Sequence, residues 1–344
     1  MNGPPREFPD FEFGDIFLTS KSLEAKLEES LFVDGHVDLP YFMINHAKDL
    51  SLSELEGCPF TLQKARKTGL RLFCTALYCE DRFNGDNSLQ HFQDILHFTL
   101  ERFDQVSIIK SSNELERLKE IPDQMGTLLL LENADLLAGD PVHIKLLKQE
   151  GIWIVGLTHA NKNRLADGNH VLYPDGLTRE GTEVIRALSE NHFIIDIAHL
   201  HPQCFWQLIN LCEALIINSH TGARKLYDIP RNIDFEQAGE IVQRGGVIGI
   251  TFNPEMLSPE RKGAQEQVFA HMDTFVQKFG PDAVGIGSDL CGFDPAPEGI
   301  QDITGIPRLV EIMRRHGYGD EAVNKIMGQN WLRLYERLFE GIRT

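Results

Sequence analysis

Eight short apolar runs recur along the chain, with helix-like stretches between them. The runs begin at Leu31, Leu70, Thr127, Trp153, His192, Ala214, Gly246 and Ala283. Each is rich in Val, Ile and Leu and is too short for a helix, which is typical of strands buried on both faces of a parallel sheet. Eight alternations of strand and helix predict an α/β fold, a closed (β/α)8 TIM-like barrel, in preference to a doubly wound sheet. An open α/β sheet remains the alternative.

Helical candidates lie at 140–150, 178–191, 202–212 and 272–279. Three segments lie outside the alternation: residues 1–30, an excursion between the second and third runs that contains HFQDILHFTLERF, and the C-terminal stretch from Arg308. No internal repeat, low-complexity tract or clear linker divides the chain. We therefore predict one domain over 1–344, with a barrel core at about 31–334 and extensions at both ends.

Charge and composition narrow the classes of partner. The chain has 33 Lys and Arg residues against 51 Asp and Glu residues, a formal net charge of −18, so nucleic acid is repelled at long range. Hydrophobic residues make up 42% of the chain, which suits a sizeable core and excludes a disordered chain. No run approaches the roughly 18 unbroken apolar residues of a membrane span, and the start is acidic where a signal peptide is basic and then apolar. We expect a cytoplasmic protein with no membrane partner.

The six cysteines are few for this length and fit free thiols better than a disulfide framework. They are Cys58, Cys74, Cys79, Cys204, Cys212 and Cys291. Cys74 and Cys79 could hold a metal ion, but no second pair lies nearby in the sequence.

Polar side chains stand where the apolar runs finish, at the predicted carboxyl ends of the strands. The first run ends with Asp34, His36 and Asp38, and side chains two residues apart on a strand point the same way. Two of the three can therefore hold one ion, although Asp34 could instead orient a neighbouring loop. Since the carboxyl ends of the strands form the active face of a β/α barrel, we expect a site there.

Four more runs end on candidate ligands: Glu132, His159, His199 and His220. Imidazole and carboxylate groups from separate strands could converge with His36 on a metal ion. A lone His at a strand end is also a common hydrogen-bonded core or loop residue. The recurrence of His at separate strand ends favours a metal site, and Glu132, after an apolar run, needs a partner or an ion.

These motifs resemble those of the renal (membrane) dipeptidase family, zinc-dependent dipeptidases of the amidohydrolase-like barrel type. The matching pieces are DGHVDLP, LLLENAD, LTHANKN, IDIAHL, NSHTGAR followed by RNID, GIGSD and GQNWLRLYE, over about Leu31 to Leu334. The HxD pair alone is a weak signal, whereas the ordered series is specific.

The resemblance implies a site that holds two Zn2+ ions. In it, His36 and Asp38 bind one ion, His199 and His220 bind the other, and Glu132 and a hydroxide bridge both. A shared carboxylate and hydroxide lower the repulsion between two neighbouring cations. The implied reaction is attack of that hydroxide on the peptide bond of a small dipeptide, with a D-residue allowed on the carboxyl side. The resemblance also implies a homodimer.

Three more roles follow from the resemblance. His159 polarises the substrate carbonyl and stabilises the oxyanion, Arg231 binds the substrate's free carboxylate, and Asp289 transfers protons and contacts the substrate ammonium. Each has a structural alternative: a surface ion pair for Arg231, a carboxylate at the barrel end for Asp289 and a hydrogen bond for His159. Asp34 receives no metal role, and we expect it to orient a ligand histidine.

Some positions depart from the family pattern. Leu290 and Cys291 stand where many relatives carry an aromatic residue and a second Asp, Asn133 stands where Gly is common, and Val37 stands where Asn or Thr is frequent. None of these changes removes a ligand, but all could reshape the pocket.

Three functions are therefore in competition. The first is a metallodipeptidase, which is favoured because all five ligands and His159 are present. The second keeps the site but cleaves a cyclic amide, a lactone or an acyl amino acid. The third is a non-catalytic metal-binding scaffold. A nucleotide site is disfavoured, because GIGSDLCG and GGVIGI lack the spacing of a phosphate-binding loop.

Overall fold

Nine parallel strands form one sheet in the structure, a computed structural model that describes residues 31–140, 142–261, 264–294 and 298–343. They are β1 (Phe32–Val37), β2 (Leu70–Tyr78), β3 (Ser107–Ile108), β4 (Gly126–Glu132), β5 (Ile152–Gly156), β6 (Ile194–Asp196), β7 (Ile216–Thr221), β8 (Ile248–Ile250) and β9 (Val284–Ile286). The predicted extension at 1–30 lies outside the described residues, so the single domain over 1–344 stays a prediction.

Eight of these strands close into a barrel. Their order is β2-β1-β9-β8-β7-β6-β5-β4, and β2 pairs again with β4. Each of the eight apolar runs contributes one barrel strand, so the predicted (β/α)8 barrel is confirmed and the open sheet is wrong. The strands are buried along almost their whole length, which explains why their sequences are nearly continuous apolar runs.

The short strand β3 was not predicted. It pairs only with Gly126 and Thr127 at the start of β4, ahead of Leu129, where β5 begins to pair. Both of its residues are half-buried, and two such residues carry no recognisable apolar run. It therefore extends the sheet locally without entering the closed ring.

The helices cover the barrel between the strands. They are α1 (Leu39–His46), α2 (Leu62–Lys67), α3 (Ser88–Arg102), α4 (Ser112–Glu120), α5 (Val142–Glu150), α6 (Arg179–Glu190), α7 (Pro202–Ile209), α8 (Phe235–Gln243), α9 (Pro254–Leu257), α10 (Gln265–Phe279), α11 (Ile306–Arg315), α12 (Asp320–Asn324) and α13 (Asn330–Arg343). Single 3-10 turns lie at Leu52–Glu54, Asp81–Phe83, Asp135–Leu137, Pro281–Ala283 and Ile303–Gly305, and a π-helical turn lies at Lys325–Gln329. In the parts of the chain described, no helix is both long and apolar enough to cross a bilayer.

The predicted helices are present, with shifted ends in some cases. Helix α6 starts as expected, because the Thr178 hydroxyl accepts the Gly181 amide at 3.0 Å and caps the first turn. Helix α10 begins at Gln265, earlier than the predicted 272, and α7 ends at Ile209, before the predicted 212. The excursion HFQDILHFTLERF lies almost entirely in α3.

The C-terminal extension lies across the amino-terminal end of the barrel. The Asn330 amide donates to the carbonyl of Val284, the first residue of β9, at 2.7 Å. The Arg337 guanidinium donates to the carbonyl of Arg244, ahead of β8, at 2.8 Å. Helix α13 therefore closes the end of the barrel opposite the predicted active face.

Trp331 of α13 packs against the barrel strands and is fully buried. Its indole Nε1 donates to the Ile286 carbonyl at 2.8 Å. A Cβ atom at Gly35 would lie 2.3 Å from the indole, and one at Gly285 would lie 2.4 Å from it. Glycine is needed at these strand positions because the indole occupies the space of a side chain.

Candidate metal centre

His36 and Asp38 place two donor groups at the carboxyl end of β1. His36 lies inside the strand, and Asp38 follows its last residue at the start of α1. The Nε2 atom of His36 lies 3.4 Å from Oδ2 of Asp38, and both side chains are buried. The predicted first pair of ligands is therefore together.

Glu132 is the last residue of β4, and its two carboxylate oxygens point to different histidines. Oε2 lies 3.7 Å from Nε2 of His36, and Oε1 lies 3.0 Å from Nε2 of His199. The side chain is buried. Glu132 thus lies between the two predicted pairs of ligands.

His199 and His220 form the second pair. His220 belongs to β7, whereas β6 ends at Asp196, three residues before His199. His199 has a positive φ of 63°, which turns its side chain back to the barrel end. The two Nε2 atoms face each other at 3.2 Å. Two nitrogen lone pairs at this distance repel, so the arrangement suits a proton or a cation shared between them.

The donor set fits a metal centre. Three groups of side chains have ligand atoms close enough to hold one ion: His36 with Asp38 and Glu132, Glu132 with His199 and His220, and His36 with His220 and Asp289. The buried Nε2 atom of His36 has no well-formed hydrogen bond among the described residues. Imidazole nitrogen and carboxylate oxygen are zinc ligands. All five predicted ligands are brought together, and Asp289 adds a carboxylate to the set.

The electrostatics of the centre are those of a buried site with excess negative charge. Burial alone would lower the pKa of His36, but Asp38, Glu132 and Asp289 raise it to about 10. Burial, followed by positive neighbours, lowers the pKa of both His199 and His220 well below the usual range. The neutral His199 and His220 are in the charge state that binds a cation, whereas His36 must give up its extra proton when a cation binds.

Ser219 contacts two of the predicted ligands, and sequence analysis did not identify it. Its hydroxyl lies 3.1 Å from Nδ1 of His36 and 2.8 Å from Nδ1 of His220. Its backbone amide donates to the buried Asp196 carboxylate at 2.9 Å. Ser219 directly precedes His220 in the chain, but nothing in the sequence shows that His36 approaches from another strand.

Asp34 lies beneath the centre rather than in it. Its Oδ1 accepts the backbone amides of His36 at 3.2 Å and Ser288 at 2.9 Å. Burial raises the pKa of Asp34 to about 6. The residue therefore holds the backbone of β1 against the segment after β9, and it orients the chain of His36 rather than its ring.

His159 follows β5 and borders the same cavity. Its ring centroid lies 4.3 Å from that of His199. Its Nδ1 lies 3.3 Å from the Tyr78 hydroxyl and 3.4 Å from Asp81 Oδ2. These two partners were not identified from the sequence, and they leave Nε2 as the nitrogen free for a ligand in the cavity.

Arg231 lies in the loop between β7 and α8 and lines the cavity. Its side chain is half-buried, and its Nη2 atom is buried with no hydrogen-bond partner among the described residues. A guanidinium with a buried, unpaired nitrogen needs an anionic partner. The surface ion pair considered as an alternative for Arg231 does not occur within the described chain.

Asp289 follows β9 and has a positive φ of 64°. Its Oδ2 accepts the Asn253 amide at 3.1 Å, and its Oδ1 lies 4.0 Å from Nε2 of His220. Burial and then the Asp38 carboxylate raise the pKa of Asp289 well above its usual range. Asp289 therefore lies among the candidate ligands, beside His36 and His220.

The departures from the family pattern are buried next to residues that line the cavity, but none of them lines it. Asn133 has a φ of 69°, a conformation that glycine also adopts, and its amide donates to the Cys79 carbonyl at 2.6 Å. Leu290 is buried, and Cys291 lies 3.3 Å from Cys58, sulfur to sulfur. All six cysteines are free. Burial raises the pKa of the Cys74 and Cys79 thiols. Neither cysteine belongs to a candidate group of metal ligands among the described residues.

A cavity of about 460 Å³ opens over the centre. It is lined by Asp38, Glu132, His159, His199, Arg231 and Asp289, together with the aromatic rings of Tyr41 and Tyr78. Metal ligands line one side, and the Arg231 guanidinium lines another. The arrangement suits a small polar molecule that carries a carboxylate.

A model of the membrane dipeptidase family, peptidase family M19, matches residues 21–340. The chain belongs to the membrane dipeptidase family. Membership makes the protein a hydrolase of metallopeptidase type, with dipeptides as its substrate class.

Relatives of the membrane dipeptidase family resemble the chain over most of its length. Dipeptidase verJ of Clonostachys rogersoniana is 24% identical over 341 residues, which cover 93% of this chain and 87% of verJ. The crystal structure of dipeptidase AC, a family M19 metallopeptidase, has a TM-score of 0.82 at 20% identity and covers 90% of this chain and 99% of its own. A metallopeptidase from Rhodobacter sphaeroides, liganded with a phosphinate mimic of the dipeptide L-Ala-D-Ala, has a TM-score of 0.79 at 20% identity, with coverage of 90% and 99%. At these identities the two structures show the fold.

Proposed function

We propose that the protein is a zinc-dependent dipeptidase whose site holds two Zn2+ ions. The observation that carries this proposal is the position of Glu132, whose carboxylate oxygens lie 3.7 Å from His36 and 3.0 Å from His199. His36 and Asp38 would hold one ion, His199 and His220 the other, and Glu132 both. When bound, such a pair lowers the pKa of a water molecule and offers positive charge to a developing oxyanion.

Arg231 anchors the substrate in this proposal. Its buried Nη2 atom has no partner among the described residues, and a planar guanidinium binds a carboxylate through two parallel hydrogen bonds. A dipeptide is short enough that its free carboxylate reaches Arg231 while its peptide bond lies over the centre. The cavity volume of about 460 Å³ favours such a small substrate.

His159 would bind the carbonyl oxygen of the peptide bond. Tyr78 and Asp81 contact its Nδ1, which fixes the ring. When Nδ1 accepts from the Tyr78 hydroxyl, the ring proton lies on Nε2, which is then the donor. A positioned donor of this kind stabilises negative charge on the oxygen as the bond breaks.

Asp289 would exchange protons with the reacting groups. Its carboxylate is held by Asn253 at 3.1 Å and lies at the cavity wall. From there it can accept a proton during attack and return it to the leaving amine. The same negative charge suits the ammonium end of a dipeptide.

The proposal includes substrates with a D-residue on the carboxyl side. Its support is the Rhodobacter sphaeroides relative, which was solved with a mimic of L-Ala-D-Ala. Hydrolysis of matched L,L and L,D dipeptides tests this part separately from the reaction itself.

The test of the proposal combines metal analysis with that dipeptide panel. Purified protein is expected to contain close to two zinc ions per chain and to lose hydrolysis on treatment with a chelator. Glu132→Gln is expected to lose both properties, and Glu183→Gln, on the exposed face of α6, is the matched control that keeps them. Full activity in metal-free protein would refute the proposal. A complete absence of hydrolysis with zinc bound would favour the non-catalytic scaffold.

A further inference from the structure

Ser219 is placed to act on both halves of the metal centre at once. Its hydroxyl contacts Nδ1 of His36 on β1 and Nδ1 of His220 on β7, at 3.1 Å and 2.8 Å. Strands β9 and β8 lie between β1 and β7 in the sheet, so the hydroxyl joins two strands that do not pair. Ser219 itself is fully buried, which excludes bulk water as a competing partner.

The hydrogen-bonding capacity of one hydroxyl limits what this contact can be. A hydroxyl has one proton to donate and two lone pairs that accept. The backbone amide of Ser219 donates to the buried Asp196 carboxylate at 2.9 Å, which fixes the backbone that carries the hydroxyl. With one proton and two Nδ1 partners, the hydroxyl donates to at most one histidine and accepts from at least one.

Metal binding through Nε2 selects one of the possible arrangements. When Ser219 accepts from both rings, His36 and His220 each carry a proton on Nδ1. A neutral imidazole with its proton on Nδ1 has its lone pair on Nε2. The Nε2 atoms are the atoms that face the centre, 3.4 Å from Asp38 for His36 and 3.2 Å from His199 Nε2 for His220.

We propose that Ser219, oriented by Asp196, is a positioning residue that holds His36 and His220 together in the tautomer that ligates metal. The inference rests on the proposed two-zinc site and goes beyond it, because it ties one ligand of each ion to a single hydroxyl. Loss of that hydroxyl should weaken both ions together. Hydrogen-bond partners behind metal ligands typically contribute about 10–100-fold in metal affinity.

The test measures zinc affinity by competition with a chromophoric chelator, so it does not depend on turnover. Ser219→Ala is expected to weaken both zinc ions, each by roughly 10–100-fold. Ser219→Thr keeps the hydroxyl and is expected to recover much of that loss. Thr127→Val removes a buried hydroxyl of β4 that bonds Thr75 at 2.7 Å, touches no proposed ligand and serves as the matched control.

The outcomes separate this inference from the proposed function. Wild-type protein that binds no zinc would refute the proposed function, whereas the inference depends on the ratio between variant and wild type. Unchanged affinity in Ser219→Ala, or loss at one ion alone, would overturn the joint role of the serine. If Ser219→Ala does not fold, as shown by the circular dichroism of metal-free protein, then Ser219→Thr must still bind both ions, and its failure would overturn the inference.

A second and independent observation concerns Cys58 and Cys291. Their sulfur atoms lie 3.3 Å apart, and both side chains are buried. Cys58 lies in the loop before α2, and Cys291 lies in the loop after β9. The two thiols are 233 positions apart in the chain, so their contact is a product of the fold.

The loop that carries Cys291 also forms part of the metal centre. Asp289 lies two residues earlier, and its backbone amide donates to the His36 carbonyl at 3.0 Å. Gly292 follows Cys291, and a Cβ atom there would lie 2.4 Å from Asp38 Oδ2. A small displacement of Cys291 therefore reaches two carboxylates of the centre.

We infer that Cys58 and Cys291 are a site of reversible oxidation to a disulfide. With hydrogen peroxide, one S–S bond forms, the O–O bond breaks, both sulfurs are oxidised, and the two thiol protons leave in two water molecules. Bonded sulfurs are about 2.0 Å apart, so the loop after β9 must move toward Cys58. Asp289 and Gly292 move with it, and hydrolysis should fall.

Peroxide treatment of the zinc-loaded protein tests this inference. The intact mass is expected to fall by about 2 Da through loss of two hydrogens, a peptide map should join Cys58 to Cys291, and dithiothreitol should restore hydrolysis. Cys58→Ser should lose the mass change and the sensitivity, while Cys204→Ser, another buried cysteine, should behave as wild type. Absence of this disulfide, or full activity with the disulfide present, would overturn the inference that Cys58 and Cys291 are a site of reversible oxidation.

Discussion

Arg231 is the residue whose role is most easily separated from the metal. It lines the cavity but belongs to none of the candidate ligand groups. Replacement by Ala should raise KM for dipeptides with a free carboxylate by roughly 10–100-fold, since a hydrogen bond to a charged group contributes about 1.5–3 kcal/mol. Steady-state kinetics with a dipeptide and its C-terminal amide measure the effect.

The amide is the internal control, because it lacks the carboxylate that Arg231 would bind. Arg261→Ala is the matched protein control, since Arg261 borders the same cavity and pairs with Glu255 at 3.0 Å. An unchanged KM for the free dipeptide in Arg231→Ala would favour the alternative substrates, a cyclic amide, a lactone or an acyl amino acid.

His271 gives a prediction about pH at a distance from the metal. Its Nδ1 accepts the Ala223 amide at 2.8 Å, and its Nε2 donates to the Leu257 carbonyl at 3.0 Å. Burial lowers the pKa of His271, so the folded state binds its proton less tightly than the unfolded state, whose pKa is about 6.5. The stabilisation is therefore present above about pH 6.5 and is lost as the pH falls through the folded pKa.

Denaturant unfolding at pH 7.5 and pH 5.5 measures this effect. The loss of unfolding free energy between the two pH values should be smaller in His271→Asn than in wild type, because the variant has no proton to take up. Equal losses in both proteins would show that other groups account for the pH dependence.

Residues that act through a neighbour were the ones that sequence analysis could not identify. Strand ends meet at one face of a barrel, so the strand pattern alone indicated that the candidate ligands could converge. The choice of Asp38 over Asp34 came from the resemblance to the family. Ser219 contacts His36, and Tyr78 and Asp81 contact His159, each from a different part of the barrel. The sequence alone does not show which residues make such contacts. Asp34 was expected to orient a ligand histidine. In the structure it binds the backbone amide of His36 and does not contact the ring.

Among the elements around the centre, the loop after β9 leaves little room for a larger side chain at Gly292. A Cβ atom at Gly292 would lie 2.4 Å from Asp38 Oδ2 and 2.7 Å from Asp289 Oδ1. Gly292→Ala should therefore displace Asp38 and lower the zinc content while the metal-free protein keeps its melting temperature. Metal analysis and calorimetry measure the two quantities.

Gly319→Ala is the control for that prediction. A Cβ atom at Gly319 would meet nothing within 4 Å, so zinc content should be unchanged. Wild-type zinc content in Gly292→Ala would show that Asp38 does not bind zinc from the position that it has in the structure.

Helix α13 stabilises the barrel from its opposite end. Trp331 is fully buried against the strands, and truncation of such a side chain costs about 3–5 kcal/mol. Trp331→Ala should lower the free energy of unfolding by that amount in urea denaturation. Trp206→Ala on α7, where the side chain is half-buried, should cost less, and equal losses would contradict the proposed role of α13.

Helices and strands could be predicted where the local sequence has a clear pattern. The eight barrel strands have long apolar runs, and α6 has a capping threonine. The start of α10 was missed because its first turns carry mostly polar residues, and β3 was missed because two residues form no pattern. Strand ends were less certain, since β6 ends at Asp196 and a turn through positive φ carries His199 into the site.

At the scale of the whole molecule, the barrel explains why distant residues form one centre. The ligands come from β1, β4, β7 and the turn after β6, and they converge because the ring is closed. The fold could be predicted because parallel buried strands and intervening helices have few other solutions. The homodimer and the cytoplasmic location stay predictions, since they depend on surfaces and segments that the strand pattern does not determine.

Anomalous X-ray diffraction at the zinc absorption edge, from a crystal of the purified protein, would locate the metal ions themselves. We expect two peaks, one on each side of the Glu132 carboxylate: the first beside His36 and Asp38 and the second beside His199 and His220. A map with no peak among these side chains, or with a peak that Glu132 does not touch, would contradict the two-zinc centre.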